Sequence, residues 1–269
     1  MRQNLKVSVN HFIKGDFDNE KLAQSALDKM NLEGYCLIHN FIPNTSSILE
    51  SSNAFIRFIN KIGDPVSHDS NNSIIWDISP NKTLNDGIIT YSEHSHEAEL
   101  HTDSQYSRYP EEYFGLLTLR KACCGGGESY LLSLNDILRE LGELPNGTKT
   151  EEILKSSEYP FIVPNVFKQT QGEKEYNFGP ILGLNEIRFR VDTLEKALKE
   201  KPDSCTKEQA QAYYQLKNII INSPSIKRFF LEDGDLLLVN NKTMLHGRSQ
   251  FSDPNRHLLR IRFNTRRVI

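Results

Sequence analysis

The pattern of apolar and polar residues near the start of the chain is helical. Leu22, Ala26 and Met30 recur at the spacing that places side chains on one face of a helix. Asp18 precedes them at a suitable N-cap position. The pattern therefore predicts an amphipathic helix over residues 18–31.

A buried strand and a second helix are predicted to follow. The run GYCLIHNF is apolar enough for a buried strand, and Pro43 closes it. Residues 46–62 carry an apolar stripe at helical spacing, and Gly63 is a typical helix stop. The part of the chain up to about residue 65 is therefore predicted to be rich in helix.

From residue 72 onward, short apolar runs alternate with Gly, Pro, Asn and Asp, which is typical of a β-sandwich or barrel. Helices are predicted to interrupt the strands near 134–141 and 206–222. Residues 168–184 form a long polar loop of the kind that often covers a binding site. The predicted strands are SIIWDIS, GIITYS, YFGLLTLR, SYLLSL, PFIVPNVF, EIRFRVD, RFFLE, DLLLVNN and LLRIRFNT.

This order of elements predicts an α+β chain that is mainly β. We expect a double-stranded β-helix, one form of jelly roll, with helices packed on it from residues 1–65 and others inserted between strands. The length of 269 residues and the hydrophobic content of 38% suffice for one full core. A single domain over residues 1–269 is therefore expected.

Composition narrows the classes of function. The 32 basic and 35 acidic residues give a net charge of -3, which provides no electrostatic footprint for nucleic acid. The four cysteines contain no C-x-x-C pair and are expected to be reduced thiols. Because no apolar run approaches a membrane span and the N-terminus lacks a signal-peptide core, we expect a cytoplasmic protein without a membrane partner. The oligomeric state stays open.

A metal site is suggested by two separated motifs. In ELHTDSQY, His101 and Asp103 are two residues apart, and on a strand such residues point to the same side. His246 follows the buried strand DLLLVNN. Two histidines and one carboxylate form the facial triad of non-haem iron(II) oxygenases. The alternatives are a hydrogen-bonded His246 at a strand end and an Asp103 that only forms a turn.

Two further motifs are suited to an anionic co-substrate. The glycine turn at residues 125–129 places the hydroxyl of Ser129 after the strand YFGLLTLR, and Arg256 and Arg260 follow His246 in the chain. A dicarboxylate in a dry pocket needs a charged, preferably bidentate partner, which arginine supplies. Alternatively, Ser129 satisfies the glycine turn, and Arg260 pairs with an acidic residue on a neighbouring strand.

Over about residues 90–265 the chain resembles the taurine dioxygenase and clavaminate synthase superfamily. The runs that carry the resemblance are LHTDSQYSRYPEEYFGLLTLRKACCGGGES and EDGDLLLVNNKTMLHGRSQFSDPNRHLLRIRF. They contain an H-x-D pair, a Gly-Gly-acid-Ser/Thr turn and Arg-x-Leu-x-Arg beyond the distal His. The resemblance implies a jelly-roll enzyme that uses Fe(II), 2-oxoglutarate and O2 and releases succinate and CO2.

The resemblance also implies roles for individual residues. His101, Asp103 and His246 would bind iron, while Ser129 and Arg256 would bind the distal carboxylate of 2-oxoglutarate. The second arginine of the family motif, which holds 2-oxoglutarate or an anionic group of the substrate, corresponds here to Arg260.

Two departures from the family pattern bear on these roles. Arg256 lies slightly nearer to the distal His than in the relatives, so the roles of Arg256 and Arg260 are also open to exchange. Ser129 stands where taurine dioxygenase-like chains have Thr, which keeps the hydroxyl.

The intact Asp103 favours hydroxylation, desaturation or epoxidation, because related halogenases replace this carboxylate with a small residue. Alternation along a strand would turn Glu97 and Glu99 to the side of His101, where they would recognise an amine or guanidine. The alternative is a solvated acidic loop. Since clavaminate synthase-like relatives act on amino acids, an amino-acid-derived small molecule is the expected substrate. Its candidate contacts are Tyr91, His94, Glu97 and Arg262.

Other classes of protein remain as alternatives. A jelly-roll hydrolase or isomerase could use zinc or manganese with the same triad, but it would not need the pair Ser129 and Arg256. A binding protein that kept the fold and lost turnover is a second alternative. A substrate tethered to a carrier protein is a third, and the sequence does not separate it from a free metabolite.

Overall fold

The computed structural model describes residues 20–43, 46–67, 72–80, 94–163 and 175–266. The helices in these ranges are α1 (Glu20–Glu33), α2 (Ile48–Ile62), α3 (Leu134–Gly142), α4 (Gly147–Ser156), α5 (Val191–Glu200) and α6 (Lys207–Asn222). The strands are β1 (Tyr35–Ile38), β2 (Asp64–Val66), β3 (Trp76–Ile78), β4 (Ala98–His101), β5 (Tyr113–Arg120), β6 (Ser129–Ser133), β7 (Tyr159–Ile162), β8 (Tyr176–Gly179), β9 (Lys227–Phe229), β10 (Leu236–Asn240), β11 (Met244–Arg248) and β12 (His257–Asn264).

Two antiparallel sheets form the centre of the molecule. The larger has the order β1-β10-β5-β12-β2, and β3 also pairs with β12. The smaller has the order β4-β11-β6-β9. Strands that are neighbours in space are often distant in sequence, as in a jelly roll. The prediction of a mainly β chain with a jelly-roll core is confirmed.

The strands alternate between an inner and an outer face. On β10, Leu237 and Val239 face inward and join a buried cluster that draws on both sheets, including Leu131 of β6. Leu236 and Leu238 of the same strand face outward. The period of two side chains along a strand thus gives each sheet two apolar faces.

The outer face of the larger sheet is covered by α1 and α2. Helix α2 begins with a capping box, in which Ser47 and Glu50 each bond the backbone N–H of the other. Its residues Phe55, Phe58 and Ile59 are fully buried against outward-facing side chains of β10 and β12. The helical part predicted before residue 65 is present and packs on the sheet as expected.

The inserted helices cover the outer face of the smaller sheet. α3, α4, α5 and α6 share one buried cluster with Leu100 of β4, Leu132 of β6 and Leu245 of β11. The molecule is therefore layered, with helices outside both sheets and a space between the sheets that is lined mainly by side chains of the strands.

Several sequence-based boundaries need correction. EIRFRVD was predicted as a strand, but it contains only an isolated bridge at Ile187 and then enters α5 at Val191. α4 and α5 were not predicted. The apolar residues Val191, Leu194 and Ala197 of α5 do recur at helical spacing, but Val191 was included in the predicted strand EIRFRVD. The strand GIITYS, the cap at Asp18 and part of the loop 168–184 lie outside the described residues.

Candidate active site

The two histidines of the predicted triad are brought together by strand pairing. His246 of β11 is the register partner of His101, the last residue of β4. Their ring centroids lie 4.2 Å apart, and the His246 ring also lies 4.3 Å from that of Phe114. His101 is buried and His246 is nearly so, hence both imidazoles project into the space between the sheets.

A bulge in β4 sets which side chains accompany His101. His246 pairs with His101 and Arg248 pairs with Ala98, so two residues of β4 face the single Gly247 of β11. A Cβ on Gly247 would lie 2.7 Å from the carbonyl oxygen of Ala98, which leaves no room for a side chain. The extra residue breaks the alternation, and Ala98 lines the site beside His101.

Glu97 and Glu99 are both exposed, on either side of the inward-facing Ala98. Nearby charges of Glu99 are Asp192, Lys217 and Glu195, which belong to α5 and α6. The strand alternation that would have turned these glutamates toward His101 is therefore absent.

Asp103 lies beyond the end of β4, so its position depends on the turn rather than on strand alternation. Its backbone N–H donates to Oδ1 of Asn241 at 2.8 Å, and Asn241 Nδ2 donates back to the Asp103 carbonyl at 3.1 Å. The next residue, Ser104, has a positive φ of 52°, which reverses the chain. Asn241 is buried in the turn between β10 and β11, so its hydrogen bonds join the turn that carries Asp103 to the segment that leads into β11, the strand of His246.

The two carboxylate oxygens of Asp103 have different neighbours. Oδ1 lies 3.8 Å from Nε2 of His101 and 3.9 Å from Nε2 of His246. Oδ2 accepts hydrogen bonds of 3.0 Å from Nη1 of Arg260 and Nε of Arg262. One oxygen thus faces the histidines while the other is held by two guanidinium groups.

The protonation states suit a divalent cation. Burial lowers the pKa of His101 to about 4, and its Nδ1 lies 2.7 Å from the Glu99 carbonyl, which leaves the Nε2 lone pair for a metal. Burial and the neighbouring His101 lower the pKa of His246 well below its usual value. Burial alone would raise the pKa of Asp103, but Arg260 and Arg262 outweigh it and hold this pKa well below its usual range.

The donor set fits a metal of the iron class. One atom from each of His101, Asp103 and His246 lies within 4.8 Å of the other two. Two neutral imidazoles and one carboxylate, grouped on one side, form the facial arrangement that leaves positions open for other ligands. In the described part of the chain, the buried Nδ1 of His246 has no hydrogen-bond partner.

A cavity of about 540 Å³, including its open mouth, adjoins the two histidines. Its walls are largely apolar, with a few polar side chains between them. Apart from the two histidines, its polar side chains are those of Ser129, Arg248, Arg256 and Arg260.

Arg256 supplies the cavity with a buried positive charge. In the described part of the chain, no carboxylate forms an ion pair with Arg256, and its guanidinium lies 4.9 Å from the ring centroid of Phe251. Burial lowers the pKa of Arg256 to about 9, and the nearby Arg248 adds to this shift. A buried cation in this situation is stabilised by an anionic ligand.

Arg248 is held by backbone carbonyls at the edge of the same cavity. It donates to the carbonyl of His94 at 2.9 Å and to that of Ser249 at 3.0 Å. Its register partner across β6 is Ser129. Ser129 and Arg256 thus line the same cavity as Arg248.

Of the four residues predicted to contact the substrate, those that the structure describes do not lie together. Tyr91 lies outside the described residues, and Glu97 is exposed. The carbonyl of His94 binds Arg248, whereas Arg262 binds Asp103 and lies 3.7 Å from Glu111. The structure thus does not gather these side chains at one point.

Asn241 and Glu111 were not identified from the sequence. Asn241 hydrogen-bonds the backbone of Asp103, and Glu111 forms an ion pair with Arg262. These partners are far apart in the sequence, and the single signal was the position of Asn241 in the turn before His246.

Comparison with known proteins identifies the class. The fold and the buried triad define a jelly-roll oxygenase, and residues 13–262 match the model of the taurine catabolism dioxygenase TauD, TfdA family. The chain belongs to this family. It is accordingly a 2-oxoglutarate-dependent dioxygenase that uses iron.

Solved structures support the same fold. An asparagine oxygenase in complex with Fe(II), 3-hydroxyasparagine and succinate has a TM-score of 0.66 and 17% identity, covering 91% of this chain and 78% of its own. The non-haem iron oxygenase OrfP with Fe and α-ketoglutaric acid has a TM-score of 0.67 and 17% identity, covering 92% and 80%. No curated protein sequence gives a significant match. At these identities the likeness shows the fold alone.

Proposed function

We propose that the chain oxidises a small amino acid or amino-acid-derived metabolite, with His101, Asp103 and His246 as ligands of Fe(II). The carrying observation is the carboxylate of Asp103, whose Oδ1 faces both Nε2 atoms beside a cavity that contains the arginine Arg256. Iron(II) with 2-oxoglutarate and O2 supplies an oxidant able to remove hydrogen from an unactivated carbon.

The protein side chains bind and orient the co-substrate. Arg256 and Ser129, which both line the cavity, would hold the distal carboxylate of 2-oxoglutarate, because a guanidinium and a hydroxyl are suited to bind a carboxylate. The apolar walls formed by residues such as Phe114 and Leu258 exclude water from the space beside the metal. This arrangement fixes the distance of the 2-oxo acid end from the histidines.

Arg260 is the proposed contact of the substrate's carboxylate. It lines the cavity, and its Nη1 is bound to Asp103 while its buried Nε has no hydrogen-bond partner in the described residues. A free donor on a buried cation suits an anionic group of an amino acid. Structures of similar fold contain 3-hydroxyasparagine or hydroxylated L-arginine, which supports the same class of substrate.

The outcome is proposed to be hydroxylation, desaturation or epoxidation. Asp103 would hold the metal at the position that a halide needs, and the hydrogen bonds from Arg260 and Arg262 to its carboxylate oppose displacement. Within this proposal, a substrate tethered to a carrier protein is the alternative to a free metabolite. The cytoplasmic location predicted from the sequence also stays a prediction.

The test is a screen of amino acids and their derivatives, with sulfonates and aryloxy acids as contrasts, in which succinate formation and product mass are measured together. A product heavier by one oxygen or lighter by two hydrogens is expected for an amine-bearing substrate. The His246→Ala variant provides the background rate. Turnover only with substrates that lack an amine would contradict the substrate class, and a chlorinated product in chloride buffer would contradict the reaction type.

A further inference from the structure

The carboxylate of Asp103 is held by more positive charge than one ion pair requires. Arg260 and Arg262 both donate to Oδ2 at 3.0 Å, and the three side chains are almost completely buried. Both arginines lie on β12 two residues apart, so they project from the same face of the strand. Because one carboxylate binds two guanidinium groups, one arginine would suffice to hold Asp103, and the other can have a different role.

The environments of the two arginines differ. Arg260 lines the cavity, whereas Arg262 is not part of its wall. Nη1 of Arg262 lies 3.7 Å from Oε1 of Glu111, a second carboxylate that is partly buried. Arg262 therefore bridges Asp103 and Glu111, while Arg260 retains a donor for a ligand in the cavity.

The backbone supports the same division. Asn241 Nδ2 donates to the carbonyl oxygens of both Asp103 and Glu111, at 3.1 Å and 2.9 Å. The two carboxylate-bearing residues are thus tied together twice, once by the amide of Asn241 and once by the guanidinium of Arg262. Neither tie involves a residue that faces the cavity.

We infer that Arg262 is a positioning residue that holds Oδ2 of Asp103 and thereby keeps Oδ1 directed at the metal while Arg260 binds a ligand. The inference rests on the proposed metal site. It assigns Arg262 to the support of the metal ligand, in place of the contact with substrate suggested by its position in the sequence. The carboxylate of Glu111, which forms an ion pair of 3.7 Å with Nη1 of Arg262, favours the orientation of this guanidinium away from the cavity.

Arg262→Lys is the informative change because it keeps the positive charge near the metal. An ammonium group cannot reproduce the planar fork that contacts Asp103 and Glu111 together. The matched control is Arg266→Lys, the same substitution at an exposed position beyond β12, where the side chain pairs with Asp64.

The experiment is a calorimetric titration of Co(II) into the metal-free, full-length protein without 2-oxoglutarate. Loss of a residue that orients a metal ligand typically weakens binding by about 10–100-fold. We expect about a tenfold loss for Arg262→Lys and no change for Arg266→Lys. The visible absorption of the bound Co(II), which depends on its coordination geometry, should also shift for Arg262→Lys alone.

Each outcome distinguishes the inference from the proposed function. If wild-type protein fails to bind Co(II), the metal site itself is wrong. If wild-type protein binds and Arg262→Lys has the same affinity and absorption, the positioning role is wrong. Should Arg262→Lys not fold, Arg262→Met replaces it, and an unchanged Co(II) absorption in that variant would equally overturn the inference.

Discussion

At the scale of the residue, the inner face of β12 carries charged side chains at positions where apolar side chains would be expected. Leu258 occupies an inward position and packs in the apolar cluster between the sheets, whereas the inward positions at Arg260 and Arg262 carry charge. Burying guanidinium groups where leucines would pack has a free-energy cost that only anionic partners offset. Such a departure from the apolar pattern is expected at a functional site.

Arg256 should dominate the binding of 2-oxoglutarate. Arg256→Ala would leave the distal carboxylate without its buried partner, which costs about 3–5 kcal/mol. The KM for 2-oxoglutarate should therefore rise by a factor of about 100 or more, as measured by steady-state succinate formation. Arg256→Lys should recover part of the loss.

Arg260→Ala is the comparison that assigns the two arginines. It should mainly raise the KM of the primary substrate. If Arg260→Ala alone raises the KM for 2-oxoglutarate, the assignments of Arg256 and Arg260 must be exchanged.

Cys124 should be unusually reactive toward alkylating reagents. The backbone N–H of Ser252 donates to its sulfur at 3.3 Å, and this bond and that of Gly126 lower the pKa of Cys124 to about 7. Because the thiolate is the nucleophile, the rate of alkylation by iodoacetamide should rise with pH and reach half its maximum near pH 7. Peptide mass spectrometry over a range of pH measures the rate at each cysteine.

The buried Cys36 is the internal control for this measurement. Burial raises its pKa to about 11, so it should stay unmodified across the same range of pH. Equal rates at Cys36 and Cys124 would contradict the prediction.

The sequence could predict the residues of the site whose chemistry is conspicuous. His101, Asp103, His246 and Arg256 stand out by type and order. Asn241 acts through hydrogen bonds to a turn that is 138 residues away in the chain. Partners of this kind depend on the three-dimensional register of the strands, which no local pattern reveals.

At the scale of the element, the bulge of β4 decides which face its residues present. The prediction that Glu97 and Glu99 face the side of His101 assumed regular alternation along β4. The extra residue of the bulge places Ala98 on that side instead. The strands with long apolar runs, such as β5 and β10, were predicted well because burial on both faces gives an unmistakable signal. α5 has apolar residues at helical spacing, but the alternating residues EIRFRV directly before it favoured a strand.

Gly247 should be essential for the pairing of β11 with β4. A Cβ at this position would lie 2.7 Å from a backbone carbonyl that cannot move without breaking the bulge. Gly247→Ala should therefore destabilise the protein by about 1–3 kcal/mol, as overpacking does elsewhere. It should also weaken metal binding, because His246 precedes it directly. Urea unfolding and Co(II) titration measure the two effects.

Gly142→Ala is the matched control for this glycine. No atom lies within 4 Å of the Cβ that it would add at the end of α3. Its free energy of unfolding should stay within about 0.5 kcal/mol of wild type, as for most surface substitutions. Equal stability of the two variants would show that β4 and β11 can adjust to a side chain at position 247.

At the scale of the whole molecule, the site occupies the space between two sheets that are both covered by helices on the outside. The smaller sheet supplies His101 and His246, and the larger sheet supplies Arg260 and Arg262. Asp103 belongs to the turn after β4 and binds arginines of the other sheet. Formation of the site therefore requires that the sheets are packed, and it connects ligand binding to global stability.

Within the described residues, no helix is long and apolar enough to cross a membrane.

Metal and co-substrate should consequently stabilise the folded protein. A ligand that binds only the native state at about 100 times its Kd adds about 2.7 kcal/mol to the free energy of unfolding. For a chain of this size that corresponds to a rise in Tm of about 5–10 °C. Differential scanning fluorimetry of metal-free protein, with Co(II) added alone and then with 2-oxoglutarate, measures both steps.

The variants separate the two stabilising steps. His246→Ala should lose the rise in Tm caused by Co(II), because a two-ligand site binds the metal weakly. Arg256→Ala should keep that rise and lose only the further rise caused by 2-oxoglutarate, since its guanidinium contacts the co-substrate and not the metal. If Co(II) raises the Tm of His246→Ala as much as that of wild type, the stabilising metal binds elsewhere on the protein, and the triad is not the site.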